Sequence, residues 1–305
     1  MDDLIIVGGG PAGLTAALYA SRRAIKTLVL AKNYGGQAAL NSNIENYPGV
    51  ESISGIELML TARNQAEKFG AKIADADIES IIKTESRFTI KSTRGKEYSA
   101  KSILLALGRV SRKLGIPNEA EFLGKGVAYC ATCDAPLFFG KNVVVVGGNN
   151  SAVDAALLLS KIAKQVYLVA RRDTLTAEAV LINSLRLASN VKIIYSTVVE
   201  SIHGHDFVEN ITVKHLDTET TEEIITDGLF IEIGYEVKAD FLGDLVERNE
   251  KGEIIIDDYN HTSLPGVFAA GDVTTIPFKQ AIISAGEGAK SALAIYDYLV
   301  GVKHN

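Results

Sequence analysis

Two stretches of the chain share one hydrophobic layout. Residues 4–31 read LIIVGGGPAGLTAALYASRRAIKTLVLA, and residues 143–170 read VVVVGGNNSAVDAALLLSKIAKQVYLVA, both 28 residues long. Each opens with four apolar residues, passes through a glycine-rich turn into an Ala/Leu-rich helix, and ends on a second apolar run. Strands apolar at every position are covered on both faces, as in a parallel sheet flanked by helices. The pattern therefore predicts two strand–helix–strand units, hence an α/β chain with two Rossmann-like, three-layer dinucleotide-binding domains.

The turns carry the chemistry. In the first copy Gly8-x-Gly10-x-x-Gly13, with Pro11 and Ala12 between the last two glycines, is the full dinucleotide fingerprint. Gly8 permits the tight turn, Gly10 lets backbone approach a pyrophosphate, and Gly13 allows close helix–strand packing. The phosphates then sit at the helix N-terminus, where free N–H groups and the dipole favour negative charge. The second copy reads Gly147-Gly148-Asn149-Asn150-Ser151-Ala152. Ala152 is an ordinary substitute for the third glycine. Asn149 crowds the pyrophosphate with a side chain, although Asn tolerates a left-handed backbone and the turn survives. A degenerate second turn that no longer binds nucleotide is the competing reading. Neither copy has an acid at the end of its second strand to hold a ribose 2′-hydroxyl. Instead Arg171 and Arg172 follow Ala170, which suits a 2′-phosphate and so NADP over NAD. The alternative is a solvated surface pair, partly neutralised by Asp173.

Composition narrows the class. The chain has 305 residues, 47% of them hydrophobic and 22% charged, which suits about two globular domains. Thirty-one basic against 37 acidic residues give −6, which argues against nucleic-acid or anionic-membrane partners. No apolar run reaches membrane-spanning length and no signal-peptide layout opens the chain, so the expected location is the cytoplasm.

The two cysteines stand as Cys130-Ala-Thr-Cys133-Asp134, just upstream of the second unit. A zinc site needs about four ligands. No second CxxC exists, and His203, His205, His215, His261 and His304 form no ligand pattern, so no metal is expected. A structural staple is weak, because so short a loop removes little chain entropy. A redox dithiol fits best: CxxC closes a reducible disulfide and activates one thiolate. Asp134 is then a candidate proton donor or acceptor, or an ordinary acid of a helix first turn. Hydride from a nicotinamide does not pass directly to a disulfide at a useful rate, so the chemistry calls for a flavin between them.

Two such units with a CxxC just before the second resemble the low-molecular-weight thioredoxin reductases, the class II pyridine nucleotide-disulfide oxidoreductases. The resemblance runs over nearly the whole chain. YCATCDAPLF (129–138) is similar to that family's active-site segment. Gly266-Val-Phe-Ala-Ala-Gly271-Asp272 looks like its second FAD motif, with Asp272 on the ribitol. Gly35-Gly36-Gln37 and Glu45-Asn46-Tyr47-Pro48-Gly49 look like its flavin-contacting loops. Lys279-Gln280-Ala281 falls where the family packs against the flavin pyrimidine, usually with Arg in place of Lys279. Ala106-Leu107-Gly108 resembles the strand end at which the chain leaves the FAD domain.

The resemblance implies that residues 1–110 and 241–305 form a discontinuous FAD-binding domain. Residues 111–240 would then be an inserted NAD(P)H-binding domain carrying the CxxC. It also implies a homodimer, with a domain rotation about hinges near 110 and 240. The implied activity is a thioredoxin-disulfide reductase that passes electrons from NADPH through FAD and the Cys130–Cys133 dithiol to a partner disulfide such as thioredoxin. No fused thioredoxin, extra domain or redox tail is evident, so the acceptor is expected to be a separate molecule. The departures keep other donors open. The family's nucleotide turn is GGGxSA, where this chain has Asn149. Its 2′-phosphate motif is HRRxxxR, where Ala170 replaces His and Thr176 the last Arg. Ferredoxin or a deazaflavin could then supply the electrons. A non-catalytic redox-sensing nucleotide binder and a ferredoxin–NADP reductase are further readings, and the CxxC argues against both.

Overall fold

The computed structural model describes residues 2–40, 44, 46–85 and 87–302, without the side chains of Thr132 and Cys133. The chain is mixed α/β and divides into two compact units, residues 1–110 with 236–305 and residues 111–235. The first opens with β1 (Asp2–Gly9), α1 (Pro11–Arg22) and β2 (Thr27–Tyr34), followed by α2 (Gly55–Lys68), β3 (Lys72–Asp75), β4 (Ile78–Lys83), β5 (Phe88–Ser92) and β6 (Glu97–Leu105). The crossing strand β7 (Val110–Ser111) leads into the second unit. There follow β8 (Val127–Ala128), α3 (Ala131–Asp134), β9 (Asn142–Val146), α4 (Asn150–Ser160), β10 (Gln165–Val169), α5 (Ala179–Leu187) and β11 (Val191–Ile194). An antiparallel ribbon, β12 (Thr197–Gly204), β13 (Val208–His215) and β14 (Thr221–Ile225), precedes β15 (Gly228–Ile231). The chain returns through β16 (Tyr235–Glu236), which pairs with β7, and closes with β17 (Val267–Ala269) and α6 (Ala281–Val300). The return lies at 235–236 and not at 240, because Ala239 and Leu242 are buried in the core of the first unit.

In the first unit the sheet order is β3-β2-β1-β6-β5-β4, with β17 also on β6. β1 runs parallel to both β2 and β6, placing Leu4 beside Thr27 on one side and Ser102 on the other. Its apolar run serves two layers. Leu4 and Ile6 enter a core with Ala16, Ala17 and Ala20 of α1 and Ile295 of α6, while Ile5 and Val7 enter a second core with Leu28, Phe88 and Ile90. Burial of each such side chain contributes about 1.5–3 kcal/mol.

The second unit repeats the plan in a parallel sheet of order β11-β10-β9-β15-β8. Val143 and Val145 of β9 pack on α4 through Ala152, Ala156 and Leu159. Val144 and Val146 pack on the ribbon through Val199, Ile202, Ile211 and Val213. The glycine-rich turns of both units thus stand at the C-terminal ends of parallel strands, although β4 and β5 run antiparallel in the first sheet, and ligands of open α/β sheets bind at such ends.

Candidate active site

In the first unit, β1 passes into α1 through a turn that only glycine can make. Gly8 has φ +116°, and a Cβ there would lie 2.1 Å from the Ala106 carbonyl oxygen at the end of β6. Gly13 lies against Gly8 in turn: its Cβ would sit 2.0 Å from the Gly8 oxygen. Gly10 differs from both. Its backbone is extended (φ −84°), and the nearest atom to a Cβ would be the Cα of Gly36 at 3.9 Å. No local contact demands glycine at position 10, so its absent side chain leaves an open cradle between the two glycine loops. Gly10 is also the N-cap of α1 and gives the helix no side-chain cap, while Pro11 has no N–H to satisfy.

The other flavin-motif residues gather around this turn. Gly35 and Gly36 lead from β2 into a short 3-10 turn (Gly36–Leu40) that carries Gln37, and Ala38 of that turn packs with Leu14, Met59 and Tyr47. Gly271 approaches Ala12, its notional Cβ 3.0 Å from the Ala12 Cβ. Asp272 accepts a hydrogen bond from Ser284 Oγ at 3.1 Å and faces Arg109 Nε at 3.2 Å. Asn46 donates to Gln280 Oε1 at 3.4 Å, and Ala281 begins α6 against the same small core. Ala106 is buried, and Gly108 (φ +64°) directly precedes Arg109. Glu45 lies outside the described residues. Lys279 is turned inward: it pairs with Glu253 at 3.3 Å and donates to the Asp272 carbonyl at 3.2 Å, which ties the loop after β17 in place.

The second turn is built alike and finished differently. Gly147 (φ +147°) packs under Glu232, its Cβ position 2.4 Å from the Glu232 carbonyl oxygen. Asn149 is extended (φ −91°) and not left-handed, so the turn makes no use of asparagine's backbone tolerance. What matters is the side chain: Asn149 Oδ1 caps α4 by accepting the Ala152 N–H at 3.0 Å. Residues 176–178 are fastened over the turn. Thr176 donates its N–H to Gly148 O at 2.7 Å, and Asn150 and Glu178 clasp each other through bonds of 3.0 and 2.8 Å. Together with Ser151 and Ala177 they line an open pocket of about 520 Å³. Arg171 and Arg172, just past β10, are exposed and make no ion pair among the described residues.

At the same sheet edge, β8 delivers the CxxC segment into α3. Cys130 is disulfide-bonded. The Cys133 side chain lies outside the described residues. Asp134 closes the helical turn by donating its N–H to Cys130 O at 3.1 Å, and partial burial raises its carboxyl above the usual range. Before the cysteine, the Tyr129 hydroxyl donates to buried Glu119, whose oxygens also accept the N–H groups of Leu114 and Gly115 at 3.0 and 2.7 Å. Burial and that carboxylate raise the Tyr129 phenol. Glu232, immediately after β15, accepts a hydrogen bond from the Ala131 N–H, and burial pushes its carboxyl up to about 7.

Arg109, Ser284, Glu119 and Glu232 escape a reading of motifs. Arg109 adjoins Ala106-Leu107-Gly108, and its charge beside a glycine is the signal for it. Glu232 sits in an apolar run, Gly228-Leu-Phe-Ile-Glu232-Ile; an acid inside a buried parallel strand pattern is the signal for it.

The first turn fits a dinucleotide pyrophosphate, with an uncapped helix and an open cradle at Gly10, while the Asp272 carboxylate beside it suits hydroxyl donors. The second fits less well, since its first-turn N–H is already satisfied and a carboxylate stands at the pocket wall. Among the described residues no group of His, Cys, Asp and Glu could hold a metal ion, and no helix is long and apolar enough to cross a membrane.

A family profile described as pyridine nucleotide-disulphide oxidoreductase matches residues 2–292. The thioredoxin reductase of Treponema pallidum is 42% identical over 299 residues, covering 97% of this chain and 97% of its own. An alkyl hydroperoxide reductase of Pseudomonas putida is 40% identical over 98% of this chain, which spans only 58% of that longer protein. The crystal structure of Lactococcus lactis thioredoxin reductase superposes with a TM-score of 0.87 at 36% identity, covering 99% of this chain and 100% of that one.

Proposed function

The chain belongs to the pyridine nucleotide-disulphide oxidoreductase family, and from that premise we propose that it is a flavin-dependent thioredoxin-disulfide reductase. Electrons pass from NADPH through FAD and the Cys130–Cys133 dithiol to a protein disulfide such as that of thioredoxin. One observation carries this reading: a disulfide-bonded CxxC cysteine stands beside a nucleotide-type turn on the C-terminal edge of one parallel sheet. Glu232 joins the two, its carbonyl under Gly147 and its carboxyl on Ala131. Two of the proteins named above, from Treponema pallidum and Lactococcus lactis, are thioredoxin reductases.

The cradle at Gly8, Gly10 and Gly13 would hold the FAD pyrophosphate, Asp272 the ribitol, and Gly35–Gln37 with Asn46 and Gln280–Ala281 the ring system. Bound there, FAD supplies the exchange between a two-electron hydride donor and a disulfide. Arg171 and Arg172 receive the 2′-phosphate of NADPH, and the Asn149 carboxamide must yield the Ala152 N–H for its pyrophosphate to settle on α4. With two electrons delivered, the Cys130–Cys133 bond opens. One thiolate attacks the partner disulfide and the other resolves the mixed disulfide, with Asp134 placed to carry a proton. The protein acts as a homodimer in the cytoplasm, a compartment that keeps dithiols reduced.

The Asn149 cap favours a second reading, in which the same reductase takes electrons from ferredoxin or a deazaflavin. Anaerobic titration of the yellow protein separates the two. Rapid bleaching of flavin absorbance by NADPH supports the first; flavin that dithionite reduces and NADPH does not supports the second. Under either donor, Cys133→Ser is expected to lower thioredoxin-disulfide reduction at least about 100-fold while dithionite still bleaches the flavin. Turnover at the wild-type rate refutes the dithiol route.

A further inference from the structure

We infer that Glu232 is a positioning residue for the dithiol, a buried carboxyl that sets how readily Cys130 and Cys133 lose their protons. The inference rests on the dithiol reading above. Glu232 is 9% exposed, at the end of a central strand whose preceding residues, Phe230 and Ile231, are fully enclosed. Its carboxyl meets the N–H of Ala131, the residue after Cys130. β15 runs parallel to β8 with Phe230 opposite Ala128, so two residues further along each strand Glu232 comes level with Cys130.

Among the described residues, no charged side chain compensates the carboxyl. Among residues 228–234 it is the one titratable group, and the turn at 147–152 brings none. α3 brings the cysteines and Asp134, itself raised by burial. β8 leads to Tyr129, which is committed to Glu119, and α4 brings Asp154, whose charged neighbour is Glu178. Burial is the cause of the Glu232 shift, and the Ala131 bond opposes it. At neutral pH the group therefore sits near half-ionisation beside the redox pair.

Two protonation states of the reduced pair follow. Reduction breaks the S–S bond and places two electrons on the two sulfurs, supplied by the reduced flavin or by dithiothreitol. With Glu232 protonated, one sulfur takes up a proton and the other stays thiolate. With Glu232 ionised, both sulfurs bind protons, because a thiolate beside an uncompensated carboxylate is disfavoured. The two forms hold the same number of protons, so their ratio does not depend on pH; pH governs the loss of a first proton, shared between Glu232 and the pair, and of a second, which leaves a thiolate beside the carboxylate.

The test reads the chain's own thiols. Full-length flavoprotein is reduced with dithiothreitol, desalted anaerobically and alkylated with iodoacetamide from pH 5 to 9.5, with Cys130 and Cys133 followed by mass spectrometry. In wild type, the thiolate curve is expected to rise in two steps with a flattening near pH 7. In Glu232→Gln, whose amide oxygen still accepts the Ala131 N–H, it is expected to rise in one. At pH 8 the variant should react about tenfold faster. A single-step wild-type curve overturns the inference, even if the variant does not fold; so does a variant curve that matches wild type. No partner or nucleotide is present, so a chain that fails to reduce thioredoxin can still show the two steps. One that reduces thioredoxin without them loses this inference alone.

Discussion

The two strand–turn–helix units are alike in length, layer order and register, and differ at the first turn of the helix. In the first, α1 starts at Gly10 with no side-chain cap and open space where a Cβ would be. In the second, α4 starts at Asn149, whose side chain holds the Ala152 N–H at 3.0 Å. An Asn cap contributes about 1 kcal/mol to a helix over alanine. α1 goes without that stabilisation, and α4 takes it at the very group a phosphate needs. Topology therefore places a binding edge, while the satisfaction of a few N–H groups decides whether an anion is wanted there.

The sharpest way to break this comparison is to move the cap. Gly10→Asn puts the second unit's residue in the first. The backbone at position 10 (φ −84°) accepts any residue, and nothing within 3.9 Å obstructs a Cβ. Folding should survive, with the new carboxamide on the Gly13 N–H and in the cradle. FAD affinity is expected to fall about 100-fold, the combined loss of a charge-assisted hydrogen bond and of space. The ratio of flavin to protein absorbance after desalting measures this, with far-UV circular dichroism as the check on folding. A variant that purifies as yellow as wild type shows that the open cradle does not select the ligand.

The reverse change tests the second unit. Asn149→Gly frees the Ala152 N–H and clears the turn. Glycine is itself a tolerable N-cap, so stability should fall by only a few tenths of a kcal/mol, whereas Asn149→Ala should cost about 1 kcal/mol. If the cap is what weakens nucleotide binding, the dissociation constant for NADPH should fall about tenfold, near 1.4 kcal/mol. Calorimetric titration with denaturant melts reads both quantities. Unchanged NADPH binding in the glycine variant means that Asn149 already swings clear, and the difference between the units becomes one of stability alone.

Much of this comparison is legible in the amino-acid sequence. A strand buried on both faces must be apolar at every position, so LIIV and VVVV announce central parallel strands without help from context. Gly8 and Gly13 are legible from the fingerprint spacing, and their Cβ atoms would overlap backbone, that of Ala106 for Gly8 and that of Gly8 for Gly13. Asn149 shows the limit. Its identity marks a departure, but whether its side chain crowds a ligand or caps its own helix depends on a rotamer and on an N–H three residues away. Pairings across long separations are less visible still. Arg109 meets Asp272 because β6 and β17 are neighbours in the sheet, and Lys279 meets Glu253 because Ile254 bridges Thr274. Glu232 stands out in its apolar run, but what it touches is hidden until the strand order puts β15 between β9 and β8.

The smallest expected effect concerns charge and not space. Glu178 faces the second turn through its clasp with Asn150, and its carboxylate also helps to raise the Asp154 carboxyl, after burial. A negative charge there opposes the same phosphates that the helix end and Arg171–Arg172 attract. Glu178→Gln keeps an oxygen to accept from Asn150 Nδ2, and the N–H that Asn150 Oδ1 accepts is main chain, so the clasp persists and only the charge is lost. The pocket is open to solvent, so water and salt screen the interaction, and the gain in NADPH affinity should be about twofold to threefold at low ionic strength. Near 0.5 M salt the Debye length falls to roughly 4 Å and the difference should vanish. Titrations at two salt concentrations therefore separate this electrostatic contribution from the Asn149 cap, whose effect is local and should hold at both. A Glu178→Gln gain that persists undiminished in high salt shows that the clasp itself blocks the turn, and geometry alone then accounts for the difference between the two units.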